Sequence, residues 1–103
     1  MSLPPLSPDQ RAAALEKAAR ARRERAEVKA RLKHGITTLP DVLKYAAGDE
    51  VLARMKVSSL LEALPGVGKV RAAQAMERLG ISESRRVRGL GASKRAALLE
   101  WAA

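Results

Sequence analysis

The sequence predicts an all-α fold, a long N-terminal helix followed by a compact set of short helices. Three observations predict it. No stretch alternates apolar and polar residues with period two, so no sheet is expected. Between Ser7 and Lys33 nearly every residue is a strong helix former. Beyond Gly35, Pro and Gly recur at intervals that leave room only for short helices.

The first helix is announced by Ser7-Pro8-Asp9-Gln10, which supplies an N-cap serine, proline at the first helical position and glutamine at N3. It runs to Lys33 and ends at Gly35. At about 1.5 Å per residue that is a rod of about 39 Å. At 100° per residue, Arg11, Arg22, Arg25, Lys29 and Lys33 share one side, beside a shallow apolar stripe of Ala14, Ala18, Ala21, Val28 and Leu32. Asp9, Glu16, Glu24 and Glu27 gather on the remaining side with Lys17, Arg20 and Arg31, where Glu16–Arg20 and Glu27–Arg31 can pair at i,i+4. The acids are thus segregated from an all-basic face, which favours a contact surface over ordinary solvated charge.

Thr38 caps the second helix, with Pro40 in its first turn, Val42, Leu43 and Ala46 inward and Gly48 closing it. Asp49 caps a short helix carrying Val51, Leu52 and Met55. Val57 to Leu64 is another, stopped by Pro65. Gly68 to Leu79 follows, with Val70, Ala73, Met76 and Leu79 inward and Gly80 ending it. Ser82 caps a brief turn through Val87, Gly89-Leu90-Gly91 forms a second hairpin, and Ser93 to Trp101 is the last helix, with Ala97, Leu98 and Trp101 apolar. Residues 1–35 read as a Pro-rich lead with the long basic helix, and residues 36–103 as the compact domain.

At 103 residues with no cysteine, disulfides and thiolate metal sites are excluded, and the lone His34 makes no zinc site. No metal and no cofactor are expected. The longest apolar runs are too short to span a membrane, and Met1 to Leu6 lacks the pattern of a signal peptide. A cytoplasmic protein with no membrane partner is expected. The net charge of +9 calls for a polyanion. It is distributed as about +5, −1 and +5 over residues 1–35, 36–64 and 65–103, two basic blocks around a neutral middle. One tyrosine, one tryptophan and no phenylalanine give no aromatic platform for stacking single-stranded bases.

The informative stretch is Leu64-Pro65-Gly66-Val67-Gly68-Lys69-Val70-Arg71. Pro65 halts one helix. Gly66 and Gly68 permit positive φ and leave no side chain in the way of a phosphate. Val67 can anchor the hairpin in the core. The next helix opens with unpaired amides and the positive end of its dipole, a ready anion site, to which Lys69 and Arg71 add charge. A plain helix–helix turn would need only Pro-Gly; the whole pattern resembles the helix-hairpin-helix motif. It is not a Walker loop, since Val70 follows Lys69. Downstream, Arg85, Arg86 and Arg88 before Gly89-Leu90-Gly91 look like a second clamp on the phosphate backbone.

These motifs, with Leu3 to Ala18, Arg22 to Lys29, Met55-Lys56-Val57-Ser58 and Met76 to Gly91, resemble the actinobacterial integration host factors in order along nearly the whole chain. The match is weakest at residues 34–50 and after Gly91. The resemblance implies a helix-two-turns-helix domain of the ribosomal small-subunit head-protein type behind a long helix. It implies a monomeric, nucleoid-associated protein that binds double-stranded DNA with little sequence preference, organises or bends it, and shares a nucleoprotein complex with a phage integrase. Pro65, Gly66, Val67, Gly68, Lys69 and Arg71 would hold phosphates. Arg85, Arg86 and Arg88 would reach neighbouring backbone or a groove, and Arg22, Arg25, Lys29 and Lys33 would add contacts.

Three other readings compete with this one. A ribosomal-type RNA-binding protein shares the motif, but the expected basic extended tail is replaced by Trp101-Ala102-Ala103. A DNA glycosylase needs an aspartate after the hairpin, whereas Asp9, Asp41 and Asp49 all precede it, so no enzyme is expected. A membrane-surface or partner-binding helix would explain the first helix alone and leave the hairpin without a role.

Overall fold

A computed structural model describes residues 4–103; Met1 to Leu3, the start of the proline-rich lead, lie outside the described residues. Six α-helices follow in order: α1 (Pro8–Lys33), α2 (Leu39–Tyr45), α3 (Glu50–Ala53), α4 (Val57–Ala63), α5 (Gly68–Leu79) and α6 (Ala92–Ala102). Single 3₁₀ turns at Ala46–Gly48 and Val87–Gly89 extend α2 and precede α6. There is no strand among the described residues, only one antiparallel bridge between Lys56 and Arg86.

The caps are those the sequence announces. Ser7 accepts from the Gln10 amide while the Gln10 side chain accepts from the Ser7 amide, a reciprocal box that satisfies two otherwise orphaned donors. Thr38 accepts from the Asp41 amide, and Asp49 from those of Val51 and Leu52. Helix α5 ends on Gly80 at φ +68°, with the Ile81 amide reaching back to the Met76 carbonyl at 2.8 Å. Lys94 from α6 donates to the Leu79 carbonyl at 2.9 Å, so a cation from another helix completes that C-terminus.

The core is built from Leu32 of α1, Leu39, Val42 and Leu43 of α2, Leu52 of α3, Val57, Leu60 and Leu61 of α4, Ala72, Ala75 and Met76 of α5, and Leu98 of α6. Each fully buried leucine contributes roughly 1.5–3 kcal/mol. Helix α4 lies at the centre, against both α1 and α5. Helix α1 is anchored only through its later turns. Residues 8–18 are exposed throughout, Ala21, Arg25 and Val28 are half-buried, and Leu32 is buried. Its proposed apolar stripe is therefore corrected: Ala14 and Ala18 pack on nothing, because the short helices beneath do not extend that far. The Glu27–Arg31 pair forms, whereas Glu16–Arg20 is not among the ion pairs of the described residues. Glu24 leaves the acidic solvent side and meets Asp49. Their shared hydrogen bond, then burial, raises the Glu24 carboxyl above its ordinary range, and the same bond lowers that of Asp49.

The inward face of α5 is also corrected. Val70 is 74% exposed and Ala73 is exposed, whereas Ala72 and Ala75 are buried with Met76. Small side chains at 72 and 75 let α5 lie close on α4, and that close approach selects the register over side-chain size. The 89–91 segment is not a second hairpin of the first kind. Among the described residues only Gly35, Gly66, Gly68 and Gly80 have positive φ; Gly91 is an extended N-cap at φ −74° following a 3₁₀ turn.

Candidate nucleic-acid interface

The hairpin between α4 and α5 begins where Leu64, extended at φ −65° and ψ 143° as a residue before proline must be, leaves the helix. Gly66 and Gly68 take φ +74° and +69°, and a Cβ on either would point into open space. Both glycines are thus required by backbone conformation, and the approach to them is clear. Val67, half-buried against the core, pins the turn between them, and its amide is bonded to the Leu64 carbonyl at 3.1 Å. Among the described residues the amides of Gly66, Gly68, Lys69 and Val70 have no backbone acceptor. A twelve-residue helix starts there with no side-chain cap, so its dipole and its orphan donors face solvent together. Lys69 and Arg71 flank this opening, and Arg71 lies 3.5 Å from the Gly66 carbonyl.

The three downstream arginines separate. The Lys56–Arg86 bridge, closed by Val57 N–H to the Arg85 carbonyl at 3.0 Å and Val87 N–H to the Met55 carbonyl at 2.9 Å, fixes the segment against the start of α4. From it Arg86 donates to the Arg54 carbonyl at 2.6 Å and faces a cleft of about 310 Å³ with Arg25, Lys29, Arg54 and Lys56. Arg85 folds back to the Gly89 carbonyl at 3.2 Å. Arg88 turns to a different groove, 3.9 Å from Glu50. Lys33 lies one turn beyond Lys29, beside α4, and Arg22 lies on the exposed part of α1.

Two residues that the sequence reading passed over complete the arrangement. Arg54 and Lys56 stand between the blocks: Lys56 lines the cleft with Arg25 and Arg86 and, on its other side, a depression shared with Lys69, Glu62 and Glu83. Arg25 and Lys29 of α1, Arg54, Lys56 and Arg86 thus form one cationic cluster, with Lys69 of the hairpin beyond Lys56; among the ion pairs of the described residues only Arg54 of these has a carboxylate partner, Glu50 at 2.8 Å. Their local sequence carries no signal for this, since the bridge joins positions thirty residues apart. Among the described residues no group of side chains is arranged to hold a metal and no helix is long and apolar enough to cross a membrane.

Residues 32–101 match the S13-like H2TH domain family. The chain is 69% identical over 98 residues to the integration host factor of Streptomyces coelicolor, covering 95% of this chain and 92% of that protein. It is 64% identical over 100 residues to the integration host factor of Mycobacterium tuberculosis, covering 97% and 95%. The chain belongs to the integration host factor family. A solved structure of sIHF bound to an 8-bp palindromic DNA matches it with a TM-score of 0.83 at 64% identity, over 85% of this chain and 99% of that one. Integration host factor is not a family of enzymes. The family resemblance and the all-helical domain behind a long α1, both read from sequence, are shown by these matches.

Proposed function

We propose that this chain binds double-stranded DNA through its phosphate backbone, with low sequence specificity, as a nucleoid-associated protein that organises or bends DNA and assists phage integration beside an integrase. The observation that carries this reading is the row of unpaired amides at 66 and 68–70, opened by two glycines, on the same molecule as a cationic cleft that shares Lys56 with the hairpin side. Pro65, Gly66, Val67, Gly68, Lys69 and Arg71 form the phosphate seat. Arg86 with Arg25, Lys29, Arg54 and Lys56 takes the adjoining backbone, Lys33 and Arg22 extend that track, and Arg85 and Arg88 contribute from the turn's far side. The DNA-bound relative supports it. The protein acts as a monomer in the cytoplasm, at the nucleoid, without a cofactor.

Duplex binding measured over a salt series tests this. Each neutralised phosphate contributes about −0.9 to the slope of log K against log salt. A steep slope with similar affinity for unrelated duplexes is expected; affinity flat from low to moderate salt contradicts it. The S13-like fold makes structured RNA the informative competitor. Displacement by RNA in preference to duplex DNA would favour a ribosomal-type role.

A further inference from the structure

Val70 stands in the first turn of α5, inside the proposed phosphate seat, and it is 74% exposed, more than any other large apolar side chain among the described residues. Nothing in the fold calls for valine there. A β-branched residue at an exposed helical position is a poorer helix former than alanine, lysine or glutamate, and this one buries little against the protein. On the helical wheel it points opposite Ala72, Ala75 and Met76, directly away from the core. Lys69 and Arg71 flank it, and its own amide is among the unpaired donors. A phosphate held by these amides brings the adjoining sugar within reach of the side chain on the last of them. The isopropyl group is therefore an outward-facing apolar surface, with the exposed Pro65 ring, in an otherwise polar and cationic seat.

Sugars differ at the atom such a group would meet. Deoxyribose presents a C2′ methylene, whereas ribose presents a hydroxyl that both donates and accepts. Covering a methylene with an isopropyl group removes apolar surface from water. Covering a hydroxyl with it strips that hydroxyl of water and offers no partner in return. We infer that Val70 is a specificity-determining residue, packing on the sugar beside the bound phosphate and selecting deoxyribose over ribose. This rests on the phosphate-seat reading and adds to it the means by which a backbone-reading hairpin tells DNA from RNA.

The test is the affinity ratio of a DNA duplex to an RNA duplex of the same sequence, for the wild type and for Val70→Thr. Threonine keeps the shape and helix propensity of valine but supplies a hydroxyl able to pair with the 2′-OH. The difference in duplex geometry is common to both proteins, so the change in ratio reads the side chain. The wild type is expected to prefer DNA, and Val70→Thr to reduce that preference by about fivefold to tenfold, the worth of one hydrogen bond. Val70→Ala, which shortens the side chain without adding a polar group, is expected to weaken DNA binding and leave RNA binding nearly unchanged. Tight DNA binding with the same DNA-to-RNA ratio in Val70→Thr overturns the inference and leaves the phosphate seat standing. Equal binding of both duplexes by the wild type overturns it as well. No duplex binding by the wild type overturns the seat and the inference together.

Discussion

Two turns in this molecule lead a chain of backbone into the start of a helix, and they are built on opposite principles. At 66–68 two glycines adopt the left-handed region, the amides that follow are left without acceptors, and the side chains stand aside. At 85–91 the glycines have ordinary φ, and the arginine side chains are placed by carbonyls: Arg85 on Gly89, Arg86 on Arg54. The first turn offers an anion the backbone itself, at fixed positions and at little entropic cost. The second offers guanidinium groups whose freedom is already reduced, which lowers what ordering them on a ligand costs. Glycine in a turn therefore carries information only with its φ: Gly66 and Gly91 look alike in sequence and serve different ends.

The comparison is broken most forcibly at Gly68. Gly68→Asp places a carboxylate where the phosphate is expected and strains a backbone at φ +69°. Duplex affinity is expected to fall by more than about tenfold, about 1.4 kcal/mol, with most helix content retained by circular dichroism. Unchanged affinity with unchanged circular dichroism would reduce the hairpin to a plain turn.

A smaller effect separates the arginines. Replacing Arg85, Arg86 and Arg88 together with alanine is expected to reduce the salt slope by up to about 3. Arg86→Ala alone should account for about 0.9 of that, because Arg86 faces the cationic cleft, and Arg88→Ala for less, because Glu50 already lies beside Arg88. Equal losses from the two single variants would show that the cleft does not organise the contact. On α1, Arg25→Ala and Lys29→Ala are expected to exceed Arg22→Ala in titrations, since only the first two line the cleft.

The smallest effect sharpens the glycine contrast itself. Gly66→Ala, at φ +74°, is expected to destabilise the fold by about 1–2 kcal/mol in thermal or denaturant melts. Gly91→Ala, at φ −74° with open space around the added carbon, should leave affinity nearly unchanged and lower stability by less than Gly66→Ala does, the loss coming only from alanine's being a poorer N-cap than glycine. Similar costs at both positions would remove the distinction between the turns.

How much of this was legible in the sequence follows the range of the interactions. Caps, breaks and helix extents are local, and Ser7, Thr38, Asp49, Pro65 and Gly80 announce them. The hairpin is local too, within six residues, so its geometry could be anticipated from residue types alone. Helix register in α5 was not, because valine is more apolar than alanine and only the close approach of α4 favours Ala72 and Ala75 over Val70 and Ala73. The cleft was least legible: Arg54 and Lys56 gain their place from the bridge to Arg86, a pairing that no local pattern encodes. The unpacked first half of α1 was hidden for the complementary reason, since an alanine stripe reads the same whether or not anything lies beneath it.

Whether backbone amides at the hairpin hold the phosphate is read directly by amide NMR during a duplex titration. The expected result is that the amides of Gly66, Gly68, Lys69 and Val70 shift most and at the lowest duplex concentration, with those of residues 89–91 moving less. A titration in which the 66–70 amides stay in place while the arginine side chains respond would contradict it.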